Sequence, residues 1–229
     1  MKIVLTFKED ISELMPRDVR NFCGSITPQK YNEVIMYHGR QSPPILYTKP
    51  RKYSTEIIFL KNEFFAFQAL VDALEEKRNF FGRKINKVIV KDEGFQPPFF
   101  AGINSRVQYH TRTPIILQDC DFEYKMYDKK RHLNTDTENI ESFVNYRIQK
   151  HLQHQLKDYL GIEQSFDNLE VNLKNHRIIM VNEECKSGSH SLAFIGNFET
   201  NYFLPTSIGY KTGIGYGQIC QGHAKFHKF

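Results

Sequence analysis

An α+β fold in two tandem halves follows from three features of the sequence. Strand-length and helix-length apolar patterns alternate, the alternation runs twice, and a stretch rich in proline and glycine divides the two runs. That stretch is 91–105, KDEGFQPPFFAGINS, with a proline pair and two glycines. It sets the predicted domains at residues 1–104 and 105–229.

In the first half, Met1–Phe7 alternates Ile3, Leu5 and Phe7 with polar or smaller neighbours, as a half-buried strand does. Residues 15–27 open on Met15-Pro16 and predict a short helix with proline in its first turn. Three strands are expected next, at Glu33–His38, Ile45–Pro50 and Glu56–Leu60, each rich in Ile, Val, Leu or Tyr. Glu63–Lys77 puts Phe64, Phe67, Leu70, Val71 and Leu74 on one helical face, and Ile85–Val90 reads as a further strand. The order is β-α-β-β-α-β with one elaboration between its second and third strands, the ferredoxin-like plan.

The second half restarts the pattern. Arg106–Leu117 predicts a strand, and residues 137–160 carry Ile140, Val144, Ile148, Leu152, Leu156 and Leu160 at intervals of four, a long amphipathic helix. Thr135 followed by Glu138 suits a capping box at its start. Asn168–Asn182 suggests a hairpin turning near Lys174–Asn175, and Ser191–Leu204 a long strand. A glycine-rich turn and a short strand, Tyr216–Cys220, close the pattern. The predicted fold class is therefore α+β, with two tandem ferredoxin-like (RRM-like) domains.

Composition narrows the function. With 229 residues, 40% apolar and 25% charged, the chain suits a folded protein with a real core. The net charge of +5 is uneven: residues 1–115 hold 18 basic and 12 acidic side chains, residues 116–229 hold 13 and 14. A basic first half suggests a polyanionic partner met mainly there. Tryptophan is absent, but 19 Phe and 12 Tyr can fill a core and still offer surfaces for base stacking. Cys23, Cys120, Cys185 and Cys220 are scattered without a C-x-x-C pair, which points to the cytoplasm. The N-terminal apolar run is broken by Lys8, Glu9 and Asp10, and no apolar run approaches the ~18 residues of a membrane helix, so no leader and no membrane partner are expected.

The sharpest motif is Ser207–Gly217, SIGYKTGIGYG. Its glycines would bare backbone N–H groups and admit a phosphate chain, although such turns also serve structure alone. No Gly-Lys pair and no following helix occur, so a nucleotide-binding P-loop is excluded.

Gly209-Tyr210-Lys211-Thr212-Gly213-Ile214-Gly215-Tyr216-Gly217 resembles the C-terminal glycine-rich loop of the CRISPR-associated repeat-processing endoribonucleases, members of the repeat-associated RNA-binding (RAMP) superfamily. Ser207 stands where that pattern has its first glycine. FIGNFETNYFLP (194–205) resembles the strand leading into the loop. MYHGRQSPPILYTKPRKYSTEIIFLKNEFFAFQALVDAL (36–74) resembles the branch whose histidine precedes a proline-rich strand, a second strand and a helix. VQYHTRTPIILQ (107–118) resembles the strand that opens the second domain, with Ile115 in place of the usual aromatic. The resemblance implies metal-independent cleavage of precursor CRISPR RNA within each repeat, with His38 as the acid-base residue. The branch often has a second histidine two positions on, where this chain has Arg40. It also implies repeat RNA as partner, with effector-complex subunits and a homodimer as further candidates, and no cofactor.

The residues themselves are compatible with that chemistry. A histidine exchanges protons near neutral pH, as phosphodiester cleavage by a 2′-hydroxyl requires. Arg40, Lys49, Arg51 and Lys52 lie between Glu33 and Glu56 with no acid among them, so they can offset charge on a phosphate. Tyr47 could bond the reacting group, or be a buried strand tyrosine. The candidate catalytic residues are thus His38, Tyr47 and Arg40. The candidate RNA-binding residues are Lys49, Arg51, Lys52, Gly209, Lys211, Thr212, Gly215 and Gly217.

Three other features weigh less. Lys77, Arg78, Arg83, Lys84, Lys87 and Lys91 form a second basic run, equally suited to a solvated edge and to RNA. His151 and His154 lack a third ligand, Cys220, His223 and His227 lack a partner pair, and no carboxylate cluster stands out, so no metal site is assigned. A cyclic-phosphodiesterase-like enzyme would need two His-x-Thr/Ser motifs, which His110-Thr111-Arg112 and His190-Ser191-Leu192 do not supply. The remaining rival is a non-catalytic RNA-binding subunit on the same scaffold.

Overall fold

The computed structural model describes residues 1–37, 42–118, 137–182, 190–209 and 212–222. The chain forms two compact units: Met1–Gln96 with Lys211–Gly215, and Pro97–Tyr210 with Tyr216–Phe229.

The first unit runs β1 (Lys2–Phe7), α1 (Pro16–Ile26), α2 (Asn32–Ile35), β2 (Ile45–Tyr47), β3 (Ser54–Phe59), α3 (Phe64–Glu76), β4 (Asn79–Phe80) and β5 (Arg83–Lys91). Its sheet has the order β2-β3-β1-β5-β4 with antiparallel neighbours. The first four strands of that order are the ferredoxin-like arrangement, as expected, and β4 extends it as a short edge. Period-two alternation sends Ile3, Leu5 and Phe7 into the core with Val19 and Cys23 of α1 and Phe67, Leu70 and Leu74 of α3. The Phe67 ring meets Phe59 edge-on at 5.2 Å, and Phe22 meets Phe80 at 4.6 Å. Pro16 presets the first turn of α1, and the Met15 N–H donates to the Asp18 carboxylate at 2.7 Å.

One strand expectation fails here. The sequence predicts a strand over Glu33–His38, but residues 32–35 form a single helical turn, closed by the Met36 N–H on the Asn32 carbonyl at 2.8 Å, and His38 lies outside the described residues. Ile35 is buried in the core, and that packing overrides the strand preference of Val34 and Ile35.

The second unit holds β6 (Phe99–Phe100), β7 (Val107–Thr111), β8 (Ile115–Gln118), α4 (Thr137–Leu160), β9 (Val171–Asn182), β10 (His190–Thr200), β11 (Tyr202–Phe203) and β12 (Ile219–Gln221). Here β10 is central: β9 pairs along it on one side, β7 and β8 share the other, and β12 lies beside β7. The order repeats the ferredoxin-like plan. Where that plan has its second helix, between β10 and β12, this chain has β11 and the glycine-rich loop. Val144, Ile148, Leu152 and Leu156 of α4 are fully or almost fully buried, which matches their spacing.

Three strands differ from expectation. Arg106–Leu117 divides around Pro114, which has no N–H for a ladder, while the Arg112 and Thr113 N–H groups donate to the Gln218 carbonyl at 2.7 and 3.3 Å. The expected hairpin at Lys174–Asn175 is one continuous strand, β9. Lys174 pairs with Asn197 and His176 with Gly196, so Asn175, at φ 37°, is the extra residue of a β-bulge. The strand from Ser191 ends at Thr200 and resumes at Tyr202. Thr135, His223 and His227 lie outside the described residues, and among those described no helix is long and apolar enough to cross a membrane.

Candidate nucleic-acid interface

His38, Arg40 and Lys211 lie outside the described residues. What flanks residues 38–41 is described. On the N-terminal side is α2, and on the C-terminal side Pro43 and Pro44 lead into β2. Tyr47 of β2 is 1% exposed and its hydroxyl donates to the Ile35 carbonyl at 2.9 Å. Burial pushes its pKa well above the ordinary phenol range, Cys23 adds to this, and Arg20 opposes it. Tyr47 is thus a neutral core residue that holds Ile35, three positions before His38.

The glycine-rich loop is held at its base within the second unit. The Ile208 N–H donates to the Gly217 carbonyl at 2.9 Å, the Gly217 N–H to the Pro114 carbonyl at 2.7 Å, and Gln155 Nε2 of α4 to the Ser207 carbonyl at 2.9 Å. Gly217 has φ 71°, and a Cβ there would strike the Ile208 carbonyl. Gly209 passes so close to β8 that a Cβ would lie 2.9 Å from the Ile116 carbonyl oxygen.

The tip of the loop belongs to the first unit. Thr212 is 2% exposed and its carbonyl accepts the Gly215 N–H at 2.9 Å. A Cβ on Gly213 would lie 2.8 Å from Pro43 Cβ. Gly215, at φ 94°, lies against the Pro16 ring, and a Cβ there would be 3.2 Å from the Tyr47 carbonyl oxygen. Sequence reasoning saw these glycines as baring N–H groups to a ligand. In the structure the N–H groups of Gly215 and Gly217 serve protein carbonyls, and the missing side chains permit close packing.

Lys49, Arg51 and Lys52 follow β2 into its hairpin with β3. The Arg51 N–H donates to the Ser54 carbonyl at 2.8 Å, which leaves Lys52 and Tyr53 at the turn. Arg51 and Lys52 are exposed, Lys52 Nζ lies 5.2 Å from the centre of the half-exposed Tyr53 ring, and Lys49 Nζ lies 3.2 Å from Met15 Sδ. An ammonium beside an exposed aromatic suits a nucleic-acid backbone with a stacked base. The second basic run is partly neutralised: Arg83 is paired with Glu13, and Lys91 lies 3.8 Å from Glu93. On the sheet face away from the helices, the described positions Lys2, Val4 and Thr6 of β1 and Ser54, Glu56 and Ile58 of β3 include no aromatic residue for a stacking platform of the RRM type. Among the described residues no group of three or more His, Cys, Asp or Glu is placed to hold a metal ion.

No family model and no curated protein matches this sequence. A Cas6b crystal structure, however, superimposes with a TM-score of 0.63 over 97% of this chain and 100% of its own, at 19% identity. The chain has the Cas6 fold. A CRISPR RNA processing endoribonuclease Cas6b matches at 0.56 and 18% identity, over 96% of this chain and 98% of its own. Csf5, a type IV Cas6 crRNA endonuclease, matches at 0.58 and 16% identity, over 97% and 99%.

On this Cas6 fold, one cation escaped the sequence reading. Arg20 of α1 is half-buried, and its Nε is buried without a hydrogen-bond partner. Burial lowers its pKa and Tyr47 acts in the opposite direction. The only sequence signal was its place four residues after Pro16 and four before Gly24, on one helical stripe.

Proposed function

We propose that this protein is an endoribonuclease that cleaves precursor CRISPR RNA within its repeats, by attack of the RNA's own 2′-hydroxyl and without a metal ion. The observation that supports it is the packing, within the first unit, of the glycine-loop tip at Gly213 and Gly215 on Pro16, Pro43 and Tyr47, of which Pro43 and Tyr47 follow residues 38–41 closely in sequence. The whole-chain likeness to endoribonucleases of the Cas6 fold supports the same reading.

In this reading His38 exchanges the protons. The 2′-oxygen bonds to the adjacent phosphorus, the bond from phosphorus to the 5′-oxygen breaks, and the 2′-proton leaves as the 5′-oxygen gains one. The products are a 2′,3′-cyclic phosphate and a 5′-hydroxyl. Arg40 offsets charge at the phosphate, and Lys49, Arg51 and Lys52 hold the backbone of the repeat. Lys211 adds a cation to the RNA-binding set, in a loop whose glycines Gly209, Gly215 and Gly217 permit its close packing. Tyr47 acts as support, because its hydroxyl is already committed to Ile35.

The test is cleavage of a repeat RNA in EDTA, with His38→Ala and with a 2′-deoxy nucleotide at the scissile position. Cleavage should survive EDTA, fall by roughly 10²–10⁴ in His38→Ala, and vanish on the deoxy substrate. Strict dependence on Mg²⁺ or cleavage of the deoxy RNA at the same bond would overturn the mechanism. Tight repeat binding without cleavage would make the protein a non-catalytic RNA-binding subunit.

A further inference from the structure

The second unit has a cleft of about 510 Å³ beside the start of β7, with walls from β11 and the end of β12. That size lies within the about 300–1,000 Å³ usual for small-ligand sites. Its lining includes no residue of the β2–β3 hairpin or of the glycine-rich loop, so the function proposed above leaves it unused.

One wall is aromatic. In the two-stranded ribbon of β6 and β11, Phe99 pairs with Phe203 and Phe100 with Tyr202, so each pair shares a face. Phe100 lies on Tyr202 at 5.3 Å, and buried Tyr202 meets buried Phe166 at 5.6 Å, which anchors that face in the core. On the opposite face the rings of Phe99 and Phe203 stack at 4.4 Å with 20° between their planes. Phe203 lines the cleft, and Phe99 is 58% exposed. A stacked pair left open to water is a flat π-surface with room for a further ring.

The other walls are polar. Gln108 of β7 and Gln221 of β12 both line the cleft. Gln108 Nε2 donates to Glu199 at 3.3 Å, and Gln221 is exposed. The Arg106 guanidinium is at the rim, 2.8 Å from Glu170, and both partners are exposed. An ion pair in water is worth little, so this guanidinium can exchange its carboxylate for a phosphate at small cost. The backbone beneath is fixed: the Gly222 N–H donates to the Gln108 carbonyl at 2.7 Å, and the Gly222 carbonyl bonds His110 Nδ1 at 2.9 Å.

We propose that this cleft binds one unpaired nucleobase of RNA. The base stacks on the Phe203–Phe99 pair, the glutamine amides meet its edge, and Arg106 takes the attached phosphate. An amide offers a donor and an acceptor together, as a base edge does, and stacking on an aromatic ring is how unpaired bases are commonly held. A side chain of a protein partner would be better served by apolar walls than by two amides and a guanidinium. That the base belongs to a CRISPR repeat rests on the function proposed above; the base site does not depend on cleavage.

The first test titrates the four ribonucleoside 5′-monophosphates, and inorganic phosphate as control, into the 15N-labelled protein. With at least one nucleotide the backbone amide signals of Gln108, Gln221 and Gly222 should shift and saturate in the millimolar range, while phosphate leaves them in place. Phe203→Leu, which keeps an apolar side chain without the π-face, should weaken that binding about 5-fold or more, and so should Gln221→Leu at an exposed position. The second test places a single abasic nucleotide at each unpaired position of the repeat RNA. One position should cost the wild type about 10-fold in affinity and cost Phe203→Leu much less. No shift with any nucleotide, or equal nucleotide affinity in the wild type and both variants, would overturn the site. Loss of self-association in Phe99→Ser, without any response to nucleotides, would give the surface to a second copy of the chain and overturn it as well. Nucleotide binding by a protein that cleaves no repeat RNA would support the base site and overturn the endonuclease reading. Normal cleavage with no nucleotide binding would do the reverse.

Discussion

The ring of Pro16 occupies the space that a Cβ on Gly215 would need. Pro16 opens α1 and Gly215 ends the loop tip, and the close approach depends on both the missing side chain and φ 94°. Gly215→Val should therefore cost stability, by about 2–5 kcal/mol from backbone strain and overpacking together. Urea unfolding measures it. An unchanged midpoint would show that the loop tip lifts away from α1 without penalty.

Tyr47→Phe separates support from chemistry. Loss of the hydroxyl leaves the Ile35 carbonyl without its donor, at a cost of about 1–2 kcal/mol. Repeat cleavage should stay within about 10-fold of wild type, since no proton carrier is lost. The raised phenol pKa also sets a sign. The neutral form is favoured in the fold, so its stabilisation is intact below about pH 10 and lost as pH rises past the unfolded value. Tyr47→Phe should flatten that alkaline decline, and a 10²-fold loss of rate would instead place the hydroxyl at the reaction.

His151 predicts the acid side. It is buried on α4, and burial, then the charges of Arg147 and His154, lower its pKa to about 3. The fold keeps it neutral while the unfolded chain protonates it near pH 6.5. Its contribution is present above that pH and is lost as pH falls from about 6.5 toward 3, at up to about 1.4 kcal/mol per pH unit. His151→Gln should remove this part of the slope in unfolding measured between pH 7 and 4. An identical slope in the variant would place the proton uptake elsewhere.

The basic hairpin predicts a salt effect. Reversing Lys49, Arg51 and Lys52 to glutamate should weaken repeat RNA binding more than reversing Lys150 and Lys157 on α4. It should also make the slope of log K against log salt shallower by about 2, at about 0.7 per single-strand phosphate. Equal losses from both sets, read by filter binding at several salt concentrations, would move the RNA away from the hairpin.

The elements that were legible in the sequence are those whose signal is local and repeated. Alternation in Met1–Phe7, the apolar face of Glu63–Lys77 and the intervals of four in 137–160 each report burial many times over, and β1, α3 and α4 follow them. The misses had one or two residues to judge by. Val34 and Ile35 suit a strand, yet Ile35 is buried in a helical turn. Asn175 looks like a hairpin turn, yet its left-handed backbone makes a bulge in β9.

The site divides in the same way. Sequence by itself determined that the chain would form two ferredoxin-like sheets, that cations would crowd the β2–β3 hairpin, and that glycines near the C-terminus would meet something at close range. Only the tertiary structure decided what they meet: Gly213 and Gly215 pack on Pro43 and Pro16, Tyr47 gives its hydroxyl to Ile35, and the Nε of half-buried Arg20 is covered without a hydrogen-bond partner. The reason is physical. Periodicity and turn chemistry act over a few residues, whereas the burial of a hydroxyl or a guanidinium depends on which distant segments of the chain fold against it.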